Sequence, residues 1–236
     1  MIKLYLDSGH GGSDGGAVGM GVLEKNLTLE IAQGIATKLK NYEGIEVKMS
    51  RTSDKNLTLR QRTDEANAWG ADYFLSIHIN SAEDKTANGY EDFIYNGNVS
   101  SKTVAYQNVM HDEIMRAIKH HGVRDRGKKK ANFHVLREAH APALLTENLF
   151  IVNAADADRL KDLRFKMDLI QGHVTGLEKF LGLKKLQTEP PKTGATGGYL
   201  KLYKVQVGAF SERDNAEGLV KVLEASGFKG AFIVEE

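Results

Sequence analysis

The chain has 236 residues, 41% of them hydrophobic, with 32 basic against 31 acidic side chains and a formal net charge of +1. This length suits one sizeable α/β domain with a small appendage, and near-neutrality supplies no global field for a nucleic-acid ligand. The absence of cysteine removes disulfides, thiolate metal ligands and a cysteine nucleophile together, so any metal site must be built from histidine and carboxylate.

The opening segment MIKLYLDSGHGG has no apolar stretch of secretion-signal length and no small-residue cleavage site. The expected setting is therefore synthesis in the cytoplasm without a signal peptide. No apolar run reaches the roughly 18 residues of a membrane span, and no membrane insertion is expected.

Ile2–Asp7 reads as a buried strand that runs into the glycine-rich GHGGSDGG, placing His10 just past the strand end. Glu24 follows this loop. Leu27, Ile31, Ile35 and Leu39 then step by four, one apolar stripe of a helix with Asn26 as its N-cap. A strand over Ile45–Arg51 is followed by a helix from Leu57 to Trp69, stopped by Gly70. Asp72–Ile79 is the next strand, with Ser76, His78 and Asn80 on one side and Ile77 and Ile79 on the other. After it come a strand over Tyr90–Tyr95, a helix from Lys102 to His121 stopped by Gly122, and strands over Phe133–Arg137 and Pro142–Glu147. A helix from Phe165 to Leu181, stopped by Gly182, closes a first domain over residues 1–182. Residues 183–198, which carry two of the three prolines with Gly and Thr, read as a linker. The tail 199–236 reads strand, helix, strand.

Alternation of this kind predicts an α/β fold: a mostly parallel mixed sheet with helices on both faces, plus a small C-terminal βαβ unit. Ligands of such sheets sit beyond the carboxyl ends of the strands, where His10, His78 and Glu147 fall. Ala143, Leu145 and Glu147 share one side of their strand, and an unpaired carboxylate in so apolar a strand costs several kcal/mol. With Glu24, these residues supply donors of the type zinc accepts, three to hold the ion and a spare carboxylate to act as base. Asp7, close behind His10, is placed to accept the second imidazole N–H of that histidine. His134 and His140 flank the Glu147 strand in sequence, His134 as a candidate substrate contact, whereas His111, His120, His121 and His173 fall on helices as surface or packing residues.

Two nucleotide-binding patterns fail. Counting from Gly9, the sixth position of the glycine loop is Asp14 rather than Gly, which breaks the dinucleotide fingerprint. GVRDRGK from Gly122 lacks the Ser or Thr of a P-loop, since Lys129 stands there, and it follows a helix rather than a strand.

Three long segments carry a family resemblance: IKLYLDSGHGGSDGGAVG with the EKNLTLEIA that Glu24 opens; SRTSDKNLTLRQRTDEANAWGADYFLSIHINSA; and NFHVLREAHAPALLTENLFIVN. Over about residues 1–182 the chain resembles the zinc-dependent N-acetylmuramoyl-L-alanine amidases of bacterial cell-wall lysis, the amidase-3 type. The resemblance implies that His10, Glu24 and His78 bind Zn2+, that Glu147 is the catalytic carboxylate, and that the substrate is peptidoglycan, cut between N-acetylmuramic acid and L-alanine. Asn80 and Arg137 are then candidate substrate contacts, and Arg51, Arg60 and Arg62 support the fold through carboxylate pairs. Two departures stand out: Ser8 where the family usually has Pro, and Leu149 where Gly is common. Neither is one of the four site residues.

YKVQVGAFSERDNAEGLVKVLEASGF in the tail resembles half of a SPOR domain, a peptidoglycan-binding module. A unit this small rarely holds enough core to fold alone, so a homodimer paired through the tails, or a tail docked on the catalytic domain, is expected. A wall hydrolase made without an export signal suits lysis of the producing cell. That describes a phage endolysin, the reading favoured by the halved tail, or a sporulation mother-cell autolysin; a zinc peptidase acting elsewhere in the stem peptide is the other alternative.

Overall fold

The computed structural model describes residues 1–186, 207–208, 212–225, 228 and 231–234. The chain forms two compact units, Met1–Gln187 and Thr188–Glu236.

The first unit is built on a six-stranded sheet: β1 (Ile2–Ser8), β2 (Ile45–Met49), β3 (Tyr73–Asn80), β4 (Tyr90–Tyr95), β5 (Asp125–Ala131) and β6 (Ala143–Phe150). The spatial order is β2-β1-β3-β6-β4-β5. Pairing is parallel from β2 through β6, antiparallel between β6 and β4, and parallel again between β4 and β5. This is the expected mostly parallel mixed sheet.

Helices cover both faces. Leu4, Leu6, Leu75, Ile77 and Leu144 point to one side, into the core shared with α1 (Glu24–Leu39), α3 (Ser101–Ile118), α5 (Ala154–Lys161) and α6 (Leu163–Leu181). The stripe Leu27, Ile31, Ile35 and Leu39 of α1 is buried there as the four-residue spacing predicts. Tyr5, Phe74, Ala143 and Leu145 point to the other side, onto α2 (Leu59–Trp69) and α4 (His134–Glu138). Because side chains alternate along a strand, Asp7, Ser76, His78 and Glu147 share the parity of this second face.

Helix α2 begins later than Leu57 because Thr58 forms a capping box with Gln61. It ends at Gly70 in the left-handed conformation, as expected.

Asn26 lies inside α1 rather than capping it, since the helix begins at Glu24, and three stretches also differ from expectation. Phe133–Arg137 is not a strand: His134–Glu138 is helical, which lets the adjacent Val135 and Leu136 both enter the core of the second face. Asp125–Ala131, DRGKKKA, is a strand with no apolar alternation, since it lies at the sheet edge where lysines deter further pairing. The fold of the first unit also continues past Gly182. Leu183 is buried in the core, and Lys184–Lys185 pairs antiparallel with Tyr42–Glu43.

Within the second unit, α7 (Arg213–Ala225) is the helix expected in the tail. Most of the expected linker and most of the first flanking strand lie outside the described residues, and the described part of the second, 228 and 231–234, is not strand.

Candidate metal centre

The loop after β1 is held by its own backbone and by two arginines. Gly11 and Asp14 exchange backbone hydrogen bonds. Arg62 of α2 donates to Asp7 Oδ1 and to the carbonyl oxygens of Ser8 and His10 at 2.6, 2.6 and 2.7 Å. Arg51 donates to the carbonyls of Ser8, Gly9, Lys25 and Ser53 and to Thr28 Oγ1. Arg62 thus makes the expected carboxylate pair, and so does the exposed Arg60 with Asp64. Arg51 differs: it spends its donors on carbonyls. The clamp holds His10 at a left-handed φ of 60°, a conformation that costs a non-glycine residue about 1–2 kcal/mol.

His10, Glu24 and His78 come together, with one donor atom from each within 4.8 Å of the others. Glu24, the first residue of α1, is buried and lies between the two imidazoles. Its Oε2 is 3.2 Å from His10 Nε2 and its Oε1 is 3.0 Å from His78 Nδ1. The backbone N–H groups of Ala17 and Ile79 donate to the same carboxylate at 2.8 and 3.0 Å. Burial opposes ionisation of Glu24, but the hydrogen bonds and charges of His10 and His78 outweigh it and hold the carboxyl well below the usual range.

Two glycines make the cluster compact. A Cβ on Gly9 would stand 2.4 Å from His78 Cε1, and one on Gly16 would stand 2.6 Å from Glu24 Oε2 and 2.7 Å from the His10 ring.

The donor set fits a divalent late first-row cation such as zinc. Two nitrogens and a carboxylate oxygen are the ligand types zinc takes. Ligands about 2.05 Å from a tetrahedral ion stand roughly 3.3 Å apart, a spacing that Glu24 Oε2 meets to His10 Nε2 at 3.2 Å and Oε1 to His78 Nδ1 at 3.0 Å.

The outer partner of His10 is not Asp7. His10 Nδ1 lies 2.9 Å from Asp14 Oδ2, leaving Nε2 for the centre. Asp7 is fully buried and engaged by Arg62 and by Ser76, whose hydroxyl donates to Oδ2 at 2.8 Å. Burial works against its ionisation, yet the Arg62 guanidinium outweighs it and holds the Asp7 carboxyl below its ordinary value. The closeness of Asp7 in sequence misleads because β1 points its side chain toward α2, whereas the Gly11–Asp14 turn folds Asp14 back onto His10.

Glu147 stands in register beside His78 on the neighbouring parallel strand, and Glu91 of β4 is its partner on the other side. The residue is half-buried, and its Oε2 is shut off from solvent with no hydrogen-bond partner. Burial, then the nearby charges of Glu24 and Glu91, push the Glu147 carboxyl well above the usual carboxylate range. Glu91 went unnoticed in the sequence. It is buried and takes hydrogen bonds from Asn80, Arg126 and Lys129. Its signal was an acidic pair, Glu91 and Asp92, inside the otherwise apolar YEDFIY, but only the strand order places it opposite Glu147.

The remaining candidates stand outside the His10–Glu24–His78 cluster. Asn80 donates to Glu91 Oε1 and accepts from the Ser81 N–H. Arg137 bonds Glu138 and Asn132, and it lines a cavity of about 250 Å³ with Tyr95, Thr103, His140 and Pro142. His134 opens α4 with its Nε2 buried and unpartnered. The cavity of about 240 Å³ that includes His10 and His78 is lined instead by Asp7, Asp14, Asn56, Thr58 and Arg62 among others.

Both departures from the family pattern have local explanations. The Ser8 N–H donates to Ser50 Oγ at 3.1 Å rather than to a strand carbonyl, so a proline there would break no ladder bond. Leu149 sits at φ 72° where β6 slips one residue against β3, a conformation glycine adopts without strain.

A family model described as N-acetylmuramoyl-L-alanine amidase matches residues 4–179, and a SPOR domain model matches residues 183–235. The sporulation-specific N-acetylmuramoyl-L-alanine amidase of Bacillus subtilis is 47% identical over 100% of this chain and 86% of its own length. The endolysin of Bacillus phage SPP1 is 42% identical over 78% of this chain and 68% of its own. Among solved structures, the catalytic domain of CwlV, an N-acetylmuramoyl-L-alanine amidase from Bacillus (Paenibacillus) polymyxa var. colistinus, superposes with a TM-score of 0.73. It shares 35% identity, over 78% of this chain and 100% of that one.

Proposed function

Because this chain belongs to the N-acetylmuramoyl-L-alanine amidase family over residues 4–179, we propose that it hydrolyses the amide between N-acetylmuramic acid and L-alanine in peptidoglycan. The observation that carries the reading is the convergence of His10, Glu24 and His78 with Glu147 in register beside them.

In this reading His10 Nε2, a Glu24 oxygen and His78 Nδ1 hold a zinc ion, and Asp14 fixes the His10 tautomer. When bound, zinc supplies an acidified water and polarises the scissile carbonyl. Glu147 takes the proton from the attacking water and returns it to the leaving alanine nitrogen. Burial and the charges of Glu24 and Glu91 raise the Glu147 carboxyl, which strengthens it as an acceptor of the water's proton. Glu91 keeps Asn80, Arg126 and Lys129 gathered at the next strand, so that Glu147 has an ordered polar neighbour rather than a competing cation.

Mass spectrometry of digested cell wall tests the reaction. The expected products are intact stem peptides with free alanine amino groups; new reducing ends would indicate a glycosidase, and cut stem peptides a peptidase. Metal analysis with a lysis assay before and after chelation tests zinc, and lysis indifferent to chelation would remove it from the mechanism.

We read the tail as a glycan-binding module that concentrates the enzyme on the wall, a role supported by the SPOR domain match. Pairing of two tails is part of the proposal; a strict monomer in light scattering would remove it. The enzyme is synthesised in the cytoplasm in this scheme and reaches the wall of the producing cell on release. Identity to the phage SPP1 endolysin supports a phage setting, and the match to a sporulation-specific amidase, which spans the tail as well, supports a mother-cell setting. Transcript timing separates them: phage lytic growth in one case, late sporulation in the other.

A further inference from the structure

A second convergence of metal-binding side chains lies at the C-terminal end of α3, on helices that contribute nothing to the first centre. The helix passes at Lys119–His121 into a 3₁₀ turn that Gly122 closes with a φ of 74°. His120 and His121 are therefore presented side by side, their ring centroids 4.0 Å apart. Both Nε2 atoms face one oxygen of Asp168 on α6, at 3.3 Å from His120 and 2.8 Å from His121. One donor atom from each of the three residues lies within 4.8 Å of the others.

The arrangement is braced. The His121 ring meets Phe165 edge-on at 5.3 Å, and Arg159 donates to the His121 carbonyl at 2.9 Å. His121 is thus fixed from its backbone and from one ring face, with 19% of its side chain exposed; His120, at 63%, is open to solvent.

Two imidazole nitrogens and a carboxylate oxygen suit a late first-row divalent cation. Tetrahedral ligands about 2.05 Å from such an ion stand roughly 3.3 Å apart; His120 already meets that spacing to Asp168, and His121, at 2.8 Å, would open its hydrogen bond by about half an ångström to admit the ion. The end of α3 also carries the negative pole of the helix dipole, which favours a cation. The open side at His120 leaves room for water to complete the coordination. We propose that His120, His121 and Asp168 form a second zinc-type cation site, which ties the end of α3 to α6 and stabilises the fold without entering the reaction.

Titration of the chelator-stripped full chain with Zn2+ in a calorimeter tests this. The expected stoichiometry is two equivalents for the unaltered protein and one for His120→Ala or Asp168→Asn. His120 is exposed enough for its removal to leave folding intact, which circular dichroism checks. His10→Ala should also bind one equivalent, and that ion should raise its melting temperature. Unchanged stoichiometry in both His120→Ala and Asp168→Asn overturns the proposal. A single equivalent lost only in His10→Ala also overturns it and leaves the catalytic zinc reading standing. A single equivalent lost in His120→Ala and Asp168→Asn but kept in His10→Ala supports it and removes the catalytic zinc instead.

Discussion

His78 and Glu147 are lateral neighbours on two parallel strands, paired in register, yet they have opposite electrostatic surroundings. The imidazole has a carboxylate, Glu24, 3.0 Å away, whereas Glu147 Oε2 is sealed with no partner. One strand step therefore separates a group positioned to hold a cation from a group positioned to exchange a proton.

Glu147→Gln should keep zinc and lose activity by at least about a hundredfold, since the amide cannot shuttle a proton. His78→Ala should lose zinc itself. Metal content measured beside wall lysis distinguishes the two; zinc loss from the Gln variant would make Glu147 a ligand.

Gly9→Ala should behave as a remote version of a ligand mutation. The new methyl would collide with the His78 ring, whose backbone is fixed in the centre of the sheet. Zinc affinity should fall by roughly 10–100-fold, the range seen when a ligand's support is disturbed. Gly15→Ala in the same loop is the control, because its nearest neighbour would be at an ordinary 3.6 Å. Equal affinities for the two variants would contradict this account of the loop.

Acid should destabilise the fold through His173. The residue is fully buried against Leu169 O and Thr146 Oγ1, and burial lowers its pKa to about 4. The unfolded chain takes up this proton near pH 6.5 and the folded protein only near 4, so the stability is complete above the first value and lost as pH falls through the second. The loss amounts to roughly 3 kcal/mol. His10 and His111 shift upward, their neighbouring carboxylates outweighing burial, and their contribution is instead lost as pH rises. Urea titrations from pH 7 to 4 should show the decline, and His173→Gln should flatten it.

Leu149→Gly sets two effects against each other. Glycine relieves the left-handed backbone by about 1 kcal/mol, but removing a fully buried leucine costs about 3–5 kcal/mol. The net expectation is a destabilisation of about 2–4 kcal/mol, measured as a lower denaturation midpoint. A stabilised variant would mean that the strain at this bulge exceeds the packing.

Much of the site was legible because its residues sit where strands and helices begin or end. The α1 stripe, the alternation around His78 and a lone acid in the apolar PALLTEN each carried a physical signal in a few consecutive residues. What stayed hidden depends on which strand lies beside which. Glu91 faces Glu147 only because β4 runs antiparallel to β6. The exchange of Asp7 for Asp14 follows from a turn that no periodicity records. The edge strand Asp125–Ala131 escaped notice because an edge needs neither alternation nor apolarity.

The donors of the first centre come from chain positions 10, 24 and 78, joined by the pairing of β1 with β3. Such distant segments meet late in folding, after the entropy of closing the intervening chain has been overcome. Zinc therefore cannot nucleate this fold as it does a small finger domain. Its influence should fall on the other limb of the kinetics: refolding rates unchanged by metal, and unfolding slowed in proportion to affinity. For a peptidoglycan amidase, that would turn bound zinc into persistence, a longer working life rather than a faster start.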